Sequence, residues 1–230
     1  MDFSKPCRSI SEFLAFLFVL SFCAISWGQT QPAASPSVSF TLDFPGSTPA
    51  HYGITVSSDG QASYVSDGTT TGGATSDQPY TADFTVSQAT ANRVFELAKQ
   101  ANYFQGKLDS RKKNIAFTGD KTVLYKDAQR QTVGTYNYSS IPAVQELTTL
   151  FENLSATLEF GHRLAYEYRY QKLALDEETK RMEDVANRGQ LMEIGAIAPI
   201  LHKIADDPSV INVTRARILR LLDRAGSAAK

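Results

Sequence analysis

The chain has 230 residues, and its 23 basic and 24 acidic side chains give a formal net charge of −1 at pH 7. This balance excludes a strongly basic nucleic-acid binder, since such proteins carry an excess of Lys and Arg to neutralise phosphates. Both cysteines, Cys7 and Cys23, lie near the N-terminus. The remaining chain therefore has no residue for thiol catalysis, a thiolate metal site or a disulfide.

Residues 1–28 are predicted to form a secretory signal peptide. Lys5 and Arg8 precede an uncharged run, residues 13–27, that is shorter than the roughly 20 residues that a membrane-spanning helix needs. Cleavage after Gly28 would leave a secreted or periplasmic protein without a membrane span. Residues 20–23 resemble a bacterial lipoprotein box, so a lipid anchor at Cys23 is the alternative.

The predicted fold begins after a short tether. Residues 29–36 are rich in Pro, Ala and Ser and lack any apolar period, which is typical of a flexible segment. Residues 37–44 then alternate between apolar and polar side chains, and this period of two predicts a strand with one buried face. The apolar members are Val38, Phe40, Leu42 and Phe44.

A hairpin is predicted next. Residues 51–57 and 61–66 have strand composition and flank a turn that contains Gly60, which adopts positive φ without strain. Residues 67–79 have almost no apolar side chain and are predicted to be a surface loop. Residues 80–86 return to strand composition.

The first helix is predicted over residues 87–104, with Ser87 as its N-terminal cap. Apolar residues recur at helical spacing along one stripe, which must cover a sheet. We expect Val94 and Phe95 to be buried there. The stripe consists of Ala91, Val94, Phe95, Ala98 and Ala101.

Three further strands are predicted at residues 114–118, 121–126 and 132–138. Short turns between most strands favour antiparallel pairing. The sequence therefore predicts an α+β domain over residues 37–160, an antiparallel sheet of about six to seven strands covered by helices.

Helices dominate the rest of the chain. A helix that starts at Pro142 is predicted to continue to about Asn187, with Gly161 as the place for a bend. Opposite charges four residues apart, such as Arg163 and Glu167, suit a solvated face. Its apolar stripe consists of Val144, Leu147, Phe151, Leu154 and Leu158.

Two shorter helices are predicted at residues 191–205 and 214–225. Together with the end of the long helix they form a predicted helical extension over residues 161–226. Residues 227–230 are a tail.

Two local patterns resemble known architectures. Asp59-Gly60 before Tyr64, followed by a helix that ends in residues 101–104 (Ala-Asn-Tyr-Phe), resembles a class of secreted bacterial domains of unknown function. This resemblance implies export and an α+β fold, without an activity. Residues 195–225 resemble a single armadillo or HEAT-type helix pair, and without further copies they are expected to cap the long helix.

No catalytic, cofactor or metal site is predicted. His51, His162 and His202 lack a second ligand at metal-binding spacing, and no nucleophile motif is present. Asp67 and Asp77 bracket a Gly/Thr loop, but the alternating ligands of a calcium loop are missing.

The predicted partner surface lies on the long helix. Arg163, Tyr166 and Tyr170 recur at i, i+3 and i+7, and Tyr and Arg are residues that contribute strongly to protein interfaces. Packing inside the protein is the alternative for these side chains.

The sequence favours an exported, non-enzymatic binding or structural module for an unknown protein or cell-envelope partner, with no cofactor and no nucleic acid. The alternative is a hydrolase of cell-envelope polymers whose site is assembled only by the fold. A pocket that gathers two carboxylates, or a carboxylate and a histidine, would favour the enzyme.

Overall fold

A computed structural model describes residues 35–67, 79–112 and 114–228. The predicted signal peptide with Cys23, most of the tether, the inner part of the 67–79 loop with Asp77, and the end of the tail lie outside these described residues. The described residues therefore test neither the lipid anchor at Cys23 nor calcium binding by the loop between Asp67 and Asp77.

Six antiparallel strands form one sheet, which confirms the α+β class. Their order across the sheet is β4-β3-β2-β1-β5-β6. Strands that follow each other from β1 to β4 are neighbours, and β5 pairs with the other side of β1. The strands are β1 (Ser37–Asp43), β2 (His51–Ser57), β3 (Gln61–Ser66), β4 (Tyr80–Thr85), β5 (Asp120–Lys126) and β6 (Gln131–Tyr136).

The predicted strand at residues 114–118 is wrong, since these residues form an irregular segment before β5. Asn114 has a positive φ of 70°, and the backbone N–H of Thr118 donates to the side chain of Asn137 at 2.8 Å. A side chain therefore satisfies a backbone donor that a sheet ladder would otherwise use.

The two faces of the sheet differ in chemistry because the side chains alternate along each strand. Val38 and Phe40 of β1 are fully buried, whereas Ser39 and Thr41 point to the other face. Helices α1 (Gln88–Gln100) and α2 (Pro142–Tyr170) cover the apolar face. The stacked rings of Phe40 and Phe151, 5.3 Å apart, connect β1 to α2.

Helix α1 is capped as predicted, with the N–H of Thr90 donating to the Ser87 hydroxyl at 3.2 Å. Val94 is fully buried, but Phe95 is only partly buried and meets Tyr125 edge to face, so the predicted burial of Phe95 is wrong. Leu97, which lies beside the predicted stripe, is fully buried instead.

The helix also ends earlier than predicted. A 3₁₀ turn at Asn102–Phe104 follows, in which all three residues have positive φ. This turn places the Phe104 ring in the core, where it is 1% exposed.

Helix α2 continues through Gly161 and ends at Tyr170. The helical stretch is therefore interrupted at Gln171, instead of at Gly161, where a bend was predicted. A 3₁₀ turn and α3 (Leu175–Asn187) come next, followed by a second turn at Ile194–Ile197 with α4 (Ala198–Ala205), and then α5 (Asn212–Ala228). The glycine instead allows close packing, because a Cβ built on Gly161 would lie 2.4 Å from Cγ2 of Ile197.

The C-terminal helices share a hydrophobic core with the sheet layer. Glu193, which precedes the second 3₁₀ turn, accepts hydrogen bonds from Ser87 at 2.7 Å and Thr90 at 2.5 Å at the start of α1. Within the described ranges, no helix has the length and apolar character that crossing a membrane requires.

We expect Gly161→Ala to destabilise the protein by about 1–3 kcal/mol, the usual cost of overpacking a core. A glycine-to-alanine change inside a helix is otherwise stabilising by up to about 1 kcal/mol. Gly226→Ala is the matched control, because a Cβ on that α5 residue meets open space. Urea unfolding of both variants measures the difference, and a stabilising Gly161→Ala would contradict the close approach to Ile197.

Candidate functional site

A cleft opens between α2 and the connection from β1 to β2. Its volume is about 240 Å³. The Ser47 hydroxyl holds the connection in shape by donating to backbone carbonyls of Phe44 and Pro49, at 2.8 and 2.7 Å. We call this space the α2 cleft, and its polar lining consists of Ser47, Thr48, Tyr52, Glu152, Ser155, Glu159 and Arg163.

A larger depression of about 420 Å³ lies on the uncovered face of the sheet, above Gly53. Short hydroxyl side chains line it, and some already pair with each other, such as Ser39 with Thr55 at 2.9 Å. Only one charged residue, Asp83, reaches it, and Asp83 is exposed. The α2 cleft is smaller but has a buried charge in its wall, so it is the better candidate site.

Glu159 is the central residue of the α2 cleft, and it is only 2% exposed. Its Oε1 atom accepts hydrogen bonds from the hydroxyls of Tyr64 at 2.7 Å and Ser66 at 2.8 Å, both on β3. The Ser155 hydroxyl lies 3.1 Å from the Tyr64 oxygen and completes the chain of hydroxyls. The other carboxylate oxygen, Oε2, has no hydrogen-bond partner among the described residues.

Arg163 is the cation nearest to Glu159, but its strongest contact is elsewhere. Its Nε donates to Glu178 of α3 at 2.6 Å, whereas its NH1 is 4.0 Å from Oε2 of Glu159. Glu178 is also paired with Arg181. The guanidinium lies over the Phe160 ring, 4.6 Å from its centre, so its position is fixed on two sides.

Two further groups line the cleft. Burial raises the pKa of the Tyr52 hydroxyl, as does Glu152 to a lesser extent, so this tyrosine stays protonated as a hydrogen-bond donor. Although Glu152 as a whole is exposed at the rim, partial desolvation raises the pKa of its carboxyl, and Lys121 offsets part of this rise. Burial and the charge of Glu159 likewise raise the pKa of Tyr64.

His162 lies next to Glu159 on α2 without lining the cleft. Its ring stacks on Tyr80 of β4, with 4.0 Å between ring centres and an interplanar angle of 2°. Nδ1 of the imidazole is buried and has no hydrogen-bond partner in the part of the chain that the structure describes. Burial lowers the pKa of the imidazole, Glu159 raises it by less, and Arg163 lowers it further.

The other two histidines lie away from this cleft. His51 pairs with Asp43 at 2.5 Å on the exposed end of β1 and β2, and His202 is exposed on α4. The described residues contain no group of three His, Cys, Asp or Glu side chains that could hold a metal ion.

The structure separates Arg163 from the two tyrosines of the predicted partner surface, whose rings stay in contact. The side chain of Arg163 is 16% exposed and belongs to the cleft wall. Tyr166 is half-buried, and Tyr170 is 61% exposed, with their ring centres 5.0 Å apart. The predicted solvated face is wrong at Arg163 and Glu167, because Glu167 is 1% exposed.

The sequence analysis missed Glu159, Glu178 and the cleft side of α2. A signal was present, because Glu152, Ser155, Glu159 and Arg163 recur at i, i+3, i+7 and i+11 beside the apolar stripe. A polar stripe on a helix normally faces water. Only the β1–β2 connection and α3, which cover it, show that these side chains enclose a site.

No protein-family model matches the chain, and comparison with curated proteins finds no significant similarity.

We expect acid to weaken the folded state partly through His162. The folded imidazole has a lowered pKa, so between that value and the ordinary pKa of about 6.5 the unfolded chain binds more protons. The stability contributed by the neutral ring is therefore present above about pH 6.5 and is lost as the pH falls.

His162→Phe keeps a ring against Tyr80 and removes the titration. Thermal unfolding between pH 7.5 and pH 5 should show a smaller loss of Tm in the variant than in the wild type. Parallel profiles for the two proteins would contradict a lowered pKa at His162.

Proposed function

We propose that the protein is an exported, non-enzymatic binding module and that its ligand enters the α2 cleft. The observation that carries this proposal is the buried carboxylate of Glu159, which lines the cleft and has one oxygen without a hydrogen-bond partner in the described ranges. A buried charged acceptor without a donor costs free energy. A ligand that supplies the missing donor recovers that cost, so binding is favoured at this point of the surface.

The surrounding groups suit recognition. The hydroxyls of Tyr64 and Ser66 donate to Glu159, and these two contacts hold its side chain in place before a ligand arrives. Arg163 is held separately by its hydrogen bond to Glu178. Preorganisation of this kind lowers the entropic cost of binding. We propose that the ligand group belongs to a protein or to a component of the cell envelope. Nucleic acid is a poor partner because the near-neutral chain lacks the excess of basic residues that binding it requires.

A hydrolase of cell-envelope polymers is the second candidate, and one observation favours it: two carboxylates, Glu152 and Glu159, line the same cleft. Seven residues along a helix correspond to a rise of about 10 Å. Acid and base carboxyl groups of inverting glycosidases are roughly 6.5–9.5 Å apart, which side chains on such a helix can reach. We rank binding above hydrolysis because two hydroxyl groups donate to one oxygen of Glu159. This arrangement suits a carboxylate that remains a hydrogen-bond acceptor.

We expect a bulky residue in the α2 cleft to prevent binding. Ala156 lines the cleft, so Ala156→Trp should fill it, whereas Ala165→Trp places the same ring on an exposed position of α2. A thermal-shift panel of small amines, carboxylates and neutral sugars provides the measurement. A ligand at 100 times its Kd stabilises by about 2.7 kcal/mol, which raises Tm by roughly 5–10 °C for a protein of this size.

At least one class of compound should raise the Tm of the wild type and of Ala165→Trp, but not of Ala156→Trp. Shifts that persist in Ala156→Trp would contradict binding in the α2 cleft. Cleavage of a cell-wall glycan preparation by the wild type, lost in both Glu152→Gln and Glu159→Gln, would establish the hydrolase instead.

A further inference from the structure

We infer that the α2 cleft binds a primary ammonium group at the end of a slim aliphatic chain. The inference rests on the proposed function, because it names the chemistry of the ligand for that cleft. It depends on three properties of the cleft: its charge, its missing hydrogen bond and its size.

The charges around the cleft leave an excess of carboxylate. Glu152 and Glu159 line it together with one cation, Arg163. That cation is already shared with Glu178, which it contacts at 2.6 Å, and it also lies near the buried Glu167. A positively charged ligand is therefore attracted to the cleft, and an anion would meet two carboxylates.

The missing hydrogen bond specifies a donor. Oε1 of Glu159 accepts from Tyr64 and Ser66. Within the described part of the chain Oε2 lacks a hydrogen-bond partner, and it lies 4.0 Å from Arg163, beyond hydrogen-bond distance. An N–H donor with a positive charge forms the strongest hydrogen bond to such an oxygen. A primary ammonium group carries three N–H donors, and the hydroxyl oxygens of Ser155 and Ser47 are further acceptors in the cleft wall.

The size of the cleft excludes larger head groups. Its volume of about 240 Å³ lies below the roughly 300–1,000 Å³ typical of sites for drug-sized ligands. Because Glu159 is 2% exposed, only a narrow group can approach its carboxylate. The end of a lysine side chain or of an aliphatic amine satisfies this constraint, and apolar wall residues such as Leu42 and Phe160 can contact its methylene groups.

A titration of ¹⁵N-labelled protein with 1-aminobutane, followed by ¹H–¹⁵N NMR shifts, tests the inference. Tetramethylammonium keeps the charge without N–H donors, 1-butanol keeps the chain without the charge, and acetate has the opposite charge. We expect 1-aminobutane to bind at least tenfold more tightly than each of the three. The shifted amides should lie in residues 47–52 and in the 152–163 part of α2.

Glu159→Gln should weaken the binding of 1-aminobutane at least tenfold, since glutamine keeps the acceptor for Tyr64 and Ser66 but loses the charge. Glu177→Gln, an exposed change on α3 with the same loss of charge, is the control and should leave the Kd unchanged. If Glu159→Gln does not fold, the ranking of the four compounds on the wild type decides the question.

The NMR titrations separate failure of the ammonium inference from failure of the proposed binding function. If a neutral sugar or a carboxylate binds in the cleft more tightly than 1-aminobutane, with loss in Ala156→Trp, the ammonium inference is overturned and the proposed binding function stands. If none of these compounds shifts the cleft amides, both are overturned. Equal Kd values for 1-aminobutane and tetramethylammonium would remove the role of the N–H donors and overturn the inference.

Discussion

The buried carboxylate of Glu159 joins the long helix to the sheet, and the candidate site exists because of this contact. Tyr64 and Ser66 extend from β3 on the side of the sheet that α2 covers, and their hydroxyls meet one carboxylate oxygen at 2.7 and 2.8 Å. Removing the partners of a buried charge costs several kcal/mol, so these hydroxyls constrain how α2 lies on the sheet. The same geometry leaves the second oxygen, Oε2, without a donor among the described residues.

The helices after α2 depend on the same region. Arg163 lies one turn beyond Glu159, and its ion pair with Glu178 attaches α3 to α2 where the long helix extends past the sheet. The close approach of Ile197 to Gly161 attaches the next helical segment on the same stretch of α2. One part of α2 therefore binds the sheet, α3 and the segment that leads into α4. Its polar side chains are enclosed as a consequence.

Much of the fold could be predicted from the sequence because its determinants are local. The alternation of β1, the Gly60 turn and the Ser87 cap each follow from residues within a few positions of one another. The errors arose where distant contacts decided the outcome. Phe95 and Leu97 lie two positions apart on α1, and only packing against Tyr125 and the core determines which of them is fully buried.

The candidate site shows the same limit more strongly. Arg163 was predicted from its position beside Tyr166 and Tyr170 to belong to a partner surface, but Glu178, fifteen positions later in the chain, pairs with it inside the protein. Glu159 meets Tyr64 across 95 positions of sequence. A helical or strand repeat relates only residues a few positions apart. The polar stripe of α2 could therefore be read from the sequence, but the contacts that bury this stripe could not.

Carboxyl-detected ¹³C NMR on protein labelled at the glutamate side chains tests the central claim most directly, with Glu159 assigned through the Glu159→Gln variant. We expect added 1-aminobutane to shift the Glu159 carboxyl signal in a saturable manner. The signal of Glu178, which is equally buried but paired with Arg163 and Arg181, should stay unchanged. A Glu159 signal that does not move at saturating amine would contradict the claim that its free oxygen is the acceptor for a ligand.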